Sequence, residues 1–433
     1  MNNSFIIEGL AGERKLRGSV QTPGAKNAAL KVIAATILFR DIVTLTNIPQ
    51  ISDVVGMFDL LKNMGAEISQ KNKKTRNQEN QVNFSIFIPK NFLTDITPEI
   101  AKHMRASVVV MGPVLARFGK VSFPHPGGCL IGARPIDFFL QGFEKMGATV
   151  TFKNDLYTIT APQGLKGAEF FLKNPSVTAT ETFMMAGVLA RGTTVIKNAA
   201  MEPEIEDLAK FLNKSGAKIT GMGTATITIK GGKLLSCSGH TYTTMPDRID
   251  ASSFLILGAL AATELHITHC NPKHLEALIE ILRDTGVSIQ TKKTEIIVSA
   301  PSSLVSTNIK THEYPGLATD IQAPLVVLLT QAVGDSTVFE TIFEGRLNYS
   351  EELVAMGADI TMMSPHRILI RGKFSLHGRN LTSPDLRAGL AFIIAAIIAK
   401  GESVIHNVDT TIDRGYEDVE NRLRSIGVKI SRL

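Results

Sequence analysis

The segment FPHPGGCLIGARP, Phe123 to Pro135, is crowded with proline and glycine and therefore reads as a loop. It carries Cys129, with Arg134 five residues further on. A thiol exposed on such a loop beside a cation has a lowered pKa, which suits it to attack electrophiles or to give up a proton. Cys237 and Cys270 read instead as small core residues. Three cysteines without a CxxC spacing make neither a complete disulfide framework nor a structural zinc site, and they fit a reducing, cytoplasmic setting. In LHITHC, strand alternation puts His269 on the opposite face from His266 and Cys270, so no metal site is expected there.

A second group of chemistry-bearing residues opens six apolar stretches: Lys26 and Asn27, Lys102 and Arg105, Ser176 with Thr178, Asp247 and Arg248, Thr319 and Asp320, Asp385 and Arg387. Ser, Thr, Asp and Asn can satisfy the free backbone N–H groups at a helix start. For Ser176 and Thr319, capping and ligand binding stay equally open. Lys and Arg differ, because a cation at a helix N-terminus opposes the helix dipole and costs a few tenths of a kcal/mol unless an anion is present. Such cations point to an anionic ligand held where helix N-termini converge.

The elements that must position these residues are repeated. LKNMGAEI at Leu61, FEKMGATV at Phe143, LNKSGAKI at Leu212, LRDTGVSI at Leu282, LVAMGADI at Leu353 and LRSIGVKI at Leu423 share one pattern. Their glycines, Gly65, Gly147, Gly216, Gly286, Gly357 and Gly427, lie 82, 69, 70, 71 and 70 residues apart. Each is expected to end a helix in the left-handed conformation and hand the chain to a strand. Before each glycine runs an amphipathic helix, such as HLEALIEILRDTG. About forty residues before it begins a helix apolar on every side, such as RAGLAFIIAAIIA, and short strands such as TVIKN, LHITH, TVFET and SVIHN follow those helices. Helices without a polar face belong in domain cores, with sheets and amphipathic helices around them. The long first spacing reflects a polar insert, Lys71 to Gln81, expected to form an exposed hairpin.

The chain of 433 residues is too long for one core and suits two domains. Three repeats before about Met245 and three after set the boundary: residues 1–20 plus 246–433 form one domain and 21–245 the other, the first twenty residues adding a strand to the C-terminal one. Apolar residues at 44% and charged residues at 20% exclude disorder. The net charge of +6 favours anionic partners, but 6% aromatic residues without Trp and a single basic run argue against nucleic acid. Met1 to Leu10 shows no secretory signal. Ala388 to Ala399 is 12 residues long, against the roughly 20 that span a bilayer, so no membrane association is expected.

The motifs GAKNAA, MRAS, PGGCLIGARPID, PDRI, TDIQA, DLRA and DRGYE, in one register through nearly the whole chain, closely resemble those of the UDP-N-acetylglucosamine 1-carboxyvinyltransferases, the enolpyruvyl transferases that open bacterial peptidoglycan synthesis. The resemblance implies an α/β fold of two inside-out α/β barrel domains with three repeats each, the chain crossing between them twice. It implies transfer of the enolpyruvyl group of phosphoenolpyruvate to the 3-hydroxyl of UDP-N-acetylglucosamine, by addition and then elimination of phosphate. No cofactor, metal or obligate protein partner is expected. By the same resemblance Cys129 is the proton donor, open to covalent trapping by the epoxide fosfomycin, and Asp320 is the base. Lys26, Asn27, Arg134, Arg387 and Arg414 resemble the phosphoenolpyruvate pocket, and of these Lys26, Arg387 and Arg414 count with the catalytic group. Arg105, Arg134, Pro135, Ile136, Asp137, Phe138, Ser176, Val177, Asp320 and Ile342 resemble the nucleotide-sugar side. Arg248 and Arg346 match arginines of the family whose separate roles stay open.

Three features depart from the family pattern: Val109 stands where several members carry Trp, Thr178 replaces a glycine after Ser-Val, and Asn174-Pro175 replaces a Lys-containing approach. They bear on the nucleotide contacts around Ser176. The nearest rival reading is an enolpyruvylshikimate phosphate synthase, whose glycine and serine motifs are absent here. The other is a catalytically silent nucleotide-sugar binder, against which the joint presence of Cys129 and Asp320 counts.

Overall fold

Each of the six repeat glycines closes its helix in the same way. Their φ angles run from +84° to +109°, a region that residues with a Cβ rarely enter. The residue after each glycine donates its N–H to the carbonyl of the apolar residue four before that glycine: Ala66 to Leu61, Ala148 to Phe143, Ala217 to Leu212, Val287 to Leu282, Ala358 to Leu353 and Val428 to Leu423, at 2.8 to 3.1 Å. This is the six-to-one bond of a Schellman turn, with its apolar contact between the two residues so joined. The repeated motif is thus a helix stop written six times.

The computed structural model describes residues 3–75, 78–96, 105–124 and 136–433. Contacts divide the chain into two compact units. One contains the N-terminal segment up to Pro23 together with Pro246–Leu433, and the described residues between Gly24 and Met245 form the other. In the first unit, three helices, Arg248–Ala261, Gln322–Thr330 and Leu386–Ile398, pack on one another and are buried along nearly their whole length. Each large aliphatic side chain so buried contributes about 1.5 to 3 kcal/mol. Three sheets surround them. The order Ser288–Thr291, Glu295–Ser299, Ala262–Thr268, Leu16–Gln21 describes one, and Asn380–Thr382, Glu402–His406, Ser4–Glu8, Lys429–Arg432 another. Both take a strand from the N-terminal segment. The third is built on Ala332–Phe339 and the hairpin of Asp359–Ser364 with Arg367–Gly372.

The second unit repeats this plan around Lys26–Ala35, Met111–Phe118 and Val177–Leu189. Close approach is built in. A Cβ on Gly112 would stand 2.4 Å from the Thr182 carbonyl oxygen of the neighbouring helix, and one on Gly258 would stand 2.5 Å from a Val298 methyl. The strands Glu67–Thr75 and Gln78–Phe87 pair antiparallel, as the polar insert suggested, while the tip of that hairpin lies outside the described residues.

Two of the expected long apolar helices begin differently. Arg105–Val110 and Thr319–Ile321 are short tight turns, after which Met111–Phe118 and Gln322–Thr330 start afresh. Pro113 and Pro324 explain both breaks, because a residue without an N–H fits the first turn of a helix and not its interior. Cys237 and Cys270 are buried, and burial pushes both thiols up to about 11. No helix among the described residues is long and apolar enough to cross a membrane.

Candidate functional site

Within the unit that contains the C-terminal half, Asp320 ends up between two arginines from different repeats. Arg346 Nη2 donates to its Oδ1 at 2.9 Å and Arg387 Nη2 to its Oδ2 at 2.8 Å. Both guanidinium groups are buried, whereas the Asp320 side chain keeps 26% of its surface exposed. Burial alone would raise the Asp320 carboxyl, but Arg387 and then Arg346 outweigh it and hold the group well below the usual carboxylate range. Arg387 is pushed up in turn, since Asp320 overcomes the cost of its burial.

The local sequence explains how these groups are presented. Asp385 caps the Leu386–Ile398 helix by accepting the N–H groups of Arg387 and Ala388 at 2.7 and 3.1 Å. Arg387 therefore sits in the first turn, its Nη1 on the Tyr416 hydroxyl at 3.1 Å. Asp247 caps Arg248–Ala261 likewise, and the Arg248 guanidinium lies 5.6 Å from the centre of the Tyr314 ring. Arg414 closes the Ile412–Arg414 turn, half-buried, two residues before Tyr416. Ile342 is half-buried in the turn after Ala332–Phe339. The Thr319 hydroxyl does not cap a helix; it donates to Glu340 Oε2 at 2.9 Å.

In the other unit, Lys26 opens its helix with Nζ 2.8 Å from Asp53 Oδ2, and both side chains are about nine-tenths buried. The anion that the dipole argument requires is therefore internal at Lys26, as it is at Arg387 through Asp320. At these two positions an internal carboxylate meets the cost of the cation, so the dipole argument alone does not require a ligand there. Asn27 follows Lys26, half-buried, and its carbonyl accepts from Lys31 Nζ at 2.9 Å. Ser176 caps Val177–Leu189 by accepting the Ala179 N–H at 3.3 Å. Ile136 is buried, Asp137 is exposed at the start of Asp137–Lys145, and the Phe138 ring meets Phe183 edge-on. Val109 is fully buried, while Thr178 is half-buried and Asn174 exposed beside the Ser176 cap. Cys129, Arg134 and Pro135 lie outside the described residues, as does the Arg105 side chain.

Two features had no signal in the sequence. Asp53 reads there as an ordinary first-turn acid of an amphipathic helix. The other is an ion pair in the core, Lys31 Nζ to Glu181 Oε2 at 3.2 Å, which joins the helix of Lys26 and Asn27 to the helix capped by Ser176. Burial pushes the Glu181 carboxyl up to about 7 against the pull of Lys31, and Glu204 and Glu202 add to the rise. A carboxyl raised in the native state stabilises it fully below the unfolded-state value near 4.5, and that contribution is lost as pH rises through about 7. The loss amounts to about 3 kcal/mol at most. Glu181→Gln should therefore flatten the fall in urea midpoint between about pH 5 and pH 7.5. An unchanged slope contradicts the assignment.

No group of three or more His, Cys, Asp or Glu suited to a metal occurs among the described residues. The arrangement instead provides buried cations at the starts of core helices, of which Lys26 is paired with Asp53 and Arg387 with Asp320.

A family model described as EPSP synthase (3-phosphoshikimate 1-carboxyvinyltransferase) matches residues 10–423. A UDP-N-acetylglucosamine 1-carboxyvinyltransferase of Acidobacterium capsulatum is 43% identical, covering 100% of this chain and 96% of that protein. One of Koribacter versatilis is 41% identical with the same coverage. Among solved structures, the enolpyruvyl transferase NikO from Streptomyces tendae aligns with a TM-score of 0.84 at 21% identity, covering 100% of this chain and 99% of that one. EPSP synthase from Acinetobacter baumannii aligns with a TM-score of 0.70 at 18% identity, covering 99% and 100%. The likeness to these two is one of fold, and the fold is that of the enolpyruvyl transferases.

Proposed function

This chain belongs to the UDP-N-acetylglucosamine 1-carboxyvinyltransferase family, and from that premise we propose that it transfers the enolpyruvyl group of phosphoenolpyruvate to the 3-hydroxyl of UDP-N-acetylglucosamine and releases phosphate. The observation that carries the choice of acceptor is the end-to-end identity with relatives of that name, since the shikimate-phosphate enzymes share the fold at far lower identity. The product would feed the cytoplasmic stage of peptidoglycan synthesis.

The proposed chemistry assigns each group a task. Lys26, Asn27, Arg134, Arg387 and Arg414 hold the phosphate and carboxylate of phosphoenolpyruvate. Cys129 gives a proton to the methylene carbon while the sugar oxygen bonds to the adjacent carbon and its proton passes to Asp320. The adduct then loses phosphate as the C–O bond breaks and a proton leaves the new methyl group, which restores the double bond. Arg105, Pro135 to Phe138, Ser176, Val177 and Ile342 hold the nucleotide sugar.

The state of Asp320 supports this assignment in one respect and constrains it in another. Its carboxyl is charged and ready to accept a proton across the neutral range, yet the two arginines make it a weak base as it stands. An anion arriving at Arg387 draws on the same guanidinium charge and so raises the proton affinity of Asp320 when it is needed. Incubating the protein with both substrates and identifying the product by mass spectrometry tests the reading: an enolpyruvyl ether of UDP-N-acetylglucosamine supports it, and unchanged nucleotide sugar sinks it.

A further inference from the structure

We propose that Glu340 is a positioning residue for this reaction, a buried carboxylate that fixes Asp320 and the nucleotide-sugar turn at Ile342 relative to one another; the inference rests on the function proposed above. Glu340 follows the strand Ala332–Phe339 and is fully buried. Its backbone is pinned on both sides by His366, which accepts its N–H at 2.8 Å and donates Nδ1–H to its carbonyl at 2.8 Å. The side chain therefore projects from a fixed point.

Its two oxygens serve two different elements. Oε1 accepts the N–H of Ile342 at 2.8 Å and of Phe343 at 3.3 Å, which shapes the turn after the strand. Oε2 accepts the Thr319 hydroxyl at 2.9 Å, which holds the short turn where Asp320 sits. A second route closes the loop: the Phe343 ring lies 5.4 Å beneath the Arg346 guanidinium, and Arg346 holds Asp320. Both ends of the Asp320–Arg346 pair thus depend on one carboxylate that touches neither. Hydrogen bonds to a charged, buried acceptor are strong and directional, so they can set this geometry.

Leaving the two backbone N–H groups and one hydroxyl without an acceptor in a buried site is expected to cost roughly tenfold or more in whatever depends on their placement. Glu340→Leu should therefore raise KM for UDP-N-acetylglucosamine by about tenfold and lower kcat, with KM for phosphoenolpyruvate moving by less than about threefold. Thr319→Val, which cuts only the link to the Asp320 turn, should lower kcat more than it changes either KM. Glu340→Gln should recover most of both losses. Its amide oxygen can keep the two N–H groups, and its amide nitrogen can donate to the Thr319 hydroxyl.

Equal increases in both KM values, or a Glu340→Gln variant no better than Glu340→Leu, would reduce Glu340 to a general structural role and overturn the proposal. Should Glu340→Leu fail to fold, unchanged kinetics in Thr319→Val overturn it equally. The unsubstituted protein separates the two levels of inference. If it makes no product yet binds UDP-N-acetylglucosamine by calorimetry, the function fails, and weakened binding in Glu340→Leu with recovery in Glu340→Gln still supports positioning. If it neither reacts nor binds, both fall.

Discussion

Cys129→Ala should turn over roughly a hundred to ten thousand times more slowly than the unsubstituted protein, the usual loss when a general acid is removed. Substrate binding should survive, because the proposed anion contacts lie on other residues. Cys129→Asp is the informative companion. A carboxyl can donate a proton but holds it only at lower pH, near 4 against about 8.5 for a thiol. Its activity should therefore persist with the optimum displaced toward acid. The Cys129 thiol should also be alkylated by fosfomycin, adding one inhibitor mass to the intact protein, and Cys129→Asp should escape. An Ala variant with unchanged turnover removes Cys129 from the chemistry.

Asp320→Asn should also lose roughly a hundred- to ten-thousandfold in kcat, because the amide cannot take the proton of the sugar hydroxyl. The sign of the accompanying change in binding is the sharper test. Asp320 neutralises charge on Arg346 and Arg387 at 2.9 and 2.8 Å. Removing its negative charge leaves those guanidinium groups freer to attract phosphoenolpyruvate, so KM for that substrate should fall or hold while kcat collapses. In the unsubstituted protein the carboxyl lies well below its ordinary range, so kcat/KM should show no acid limb from this group down to about pH 5. A rise in KM for phosphoenolpyruvate in parallel with the loss of kcat would mean that Asp320 chiefly braces the arginines.

The repeat was legible because it is local. A leucine or phenylalanine four residues before a glycine, with alanine or valine after it, is a complete instruction for a Schellman turn, and the backbone follows it at all six sites. The core helices were equally plain, since a stretch such as Leu386–Ile398 offers no polar face to solvent. Capping was half legible. Asp247, Asp385 and Ser176 bond their own helix starts, whereas the Thr319 hydroxyl reaches Glu340, 21 residues away. What could not be read are partners brought together by tertiary packing, whether within one repeat or between two. Asp53 for Lys26, Glu181 for Lys31 and Glu340 for Thr319 depend on which helix start meets which turn in three dimensions. That gap also bounds the dipole argument. Cations at helix starts do need anions, and at Lys26 and Arg387 the chain carries one of its own.

Phosphate release from phosphoenolpyruvate, measured in parallel with UDP-N-acetylglucosamine and with shikimate 3-phosphate as acceptor, tests the central claim most directly. Release that depends on UDP-N-acetylglucosamine, with none above background from shikimate 3-phosphate, is the predicted result. Release with shikimate 3-phosphate instead, or with neither acceptor, would contradict it.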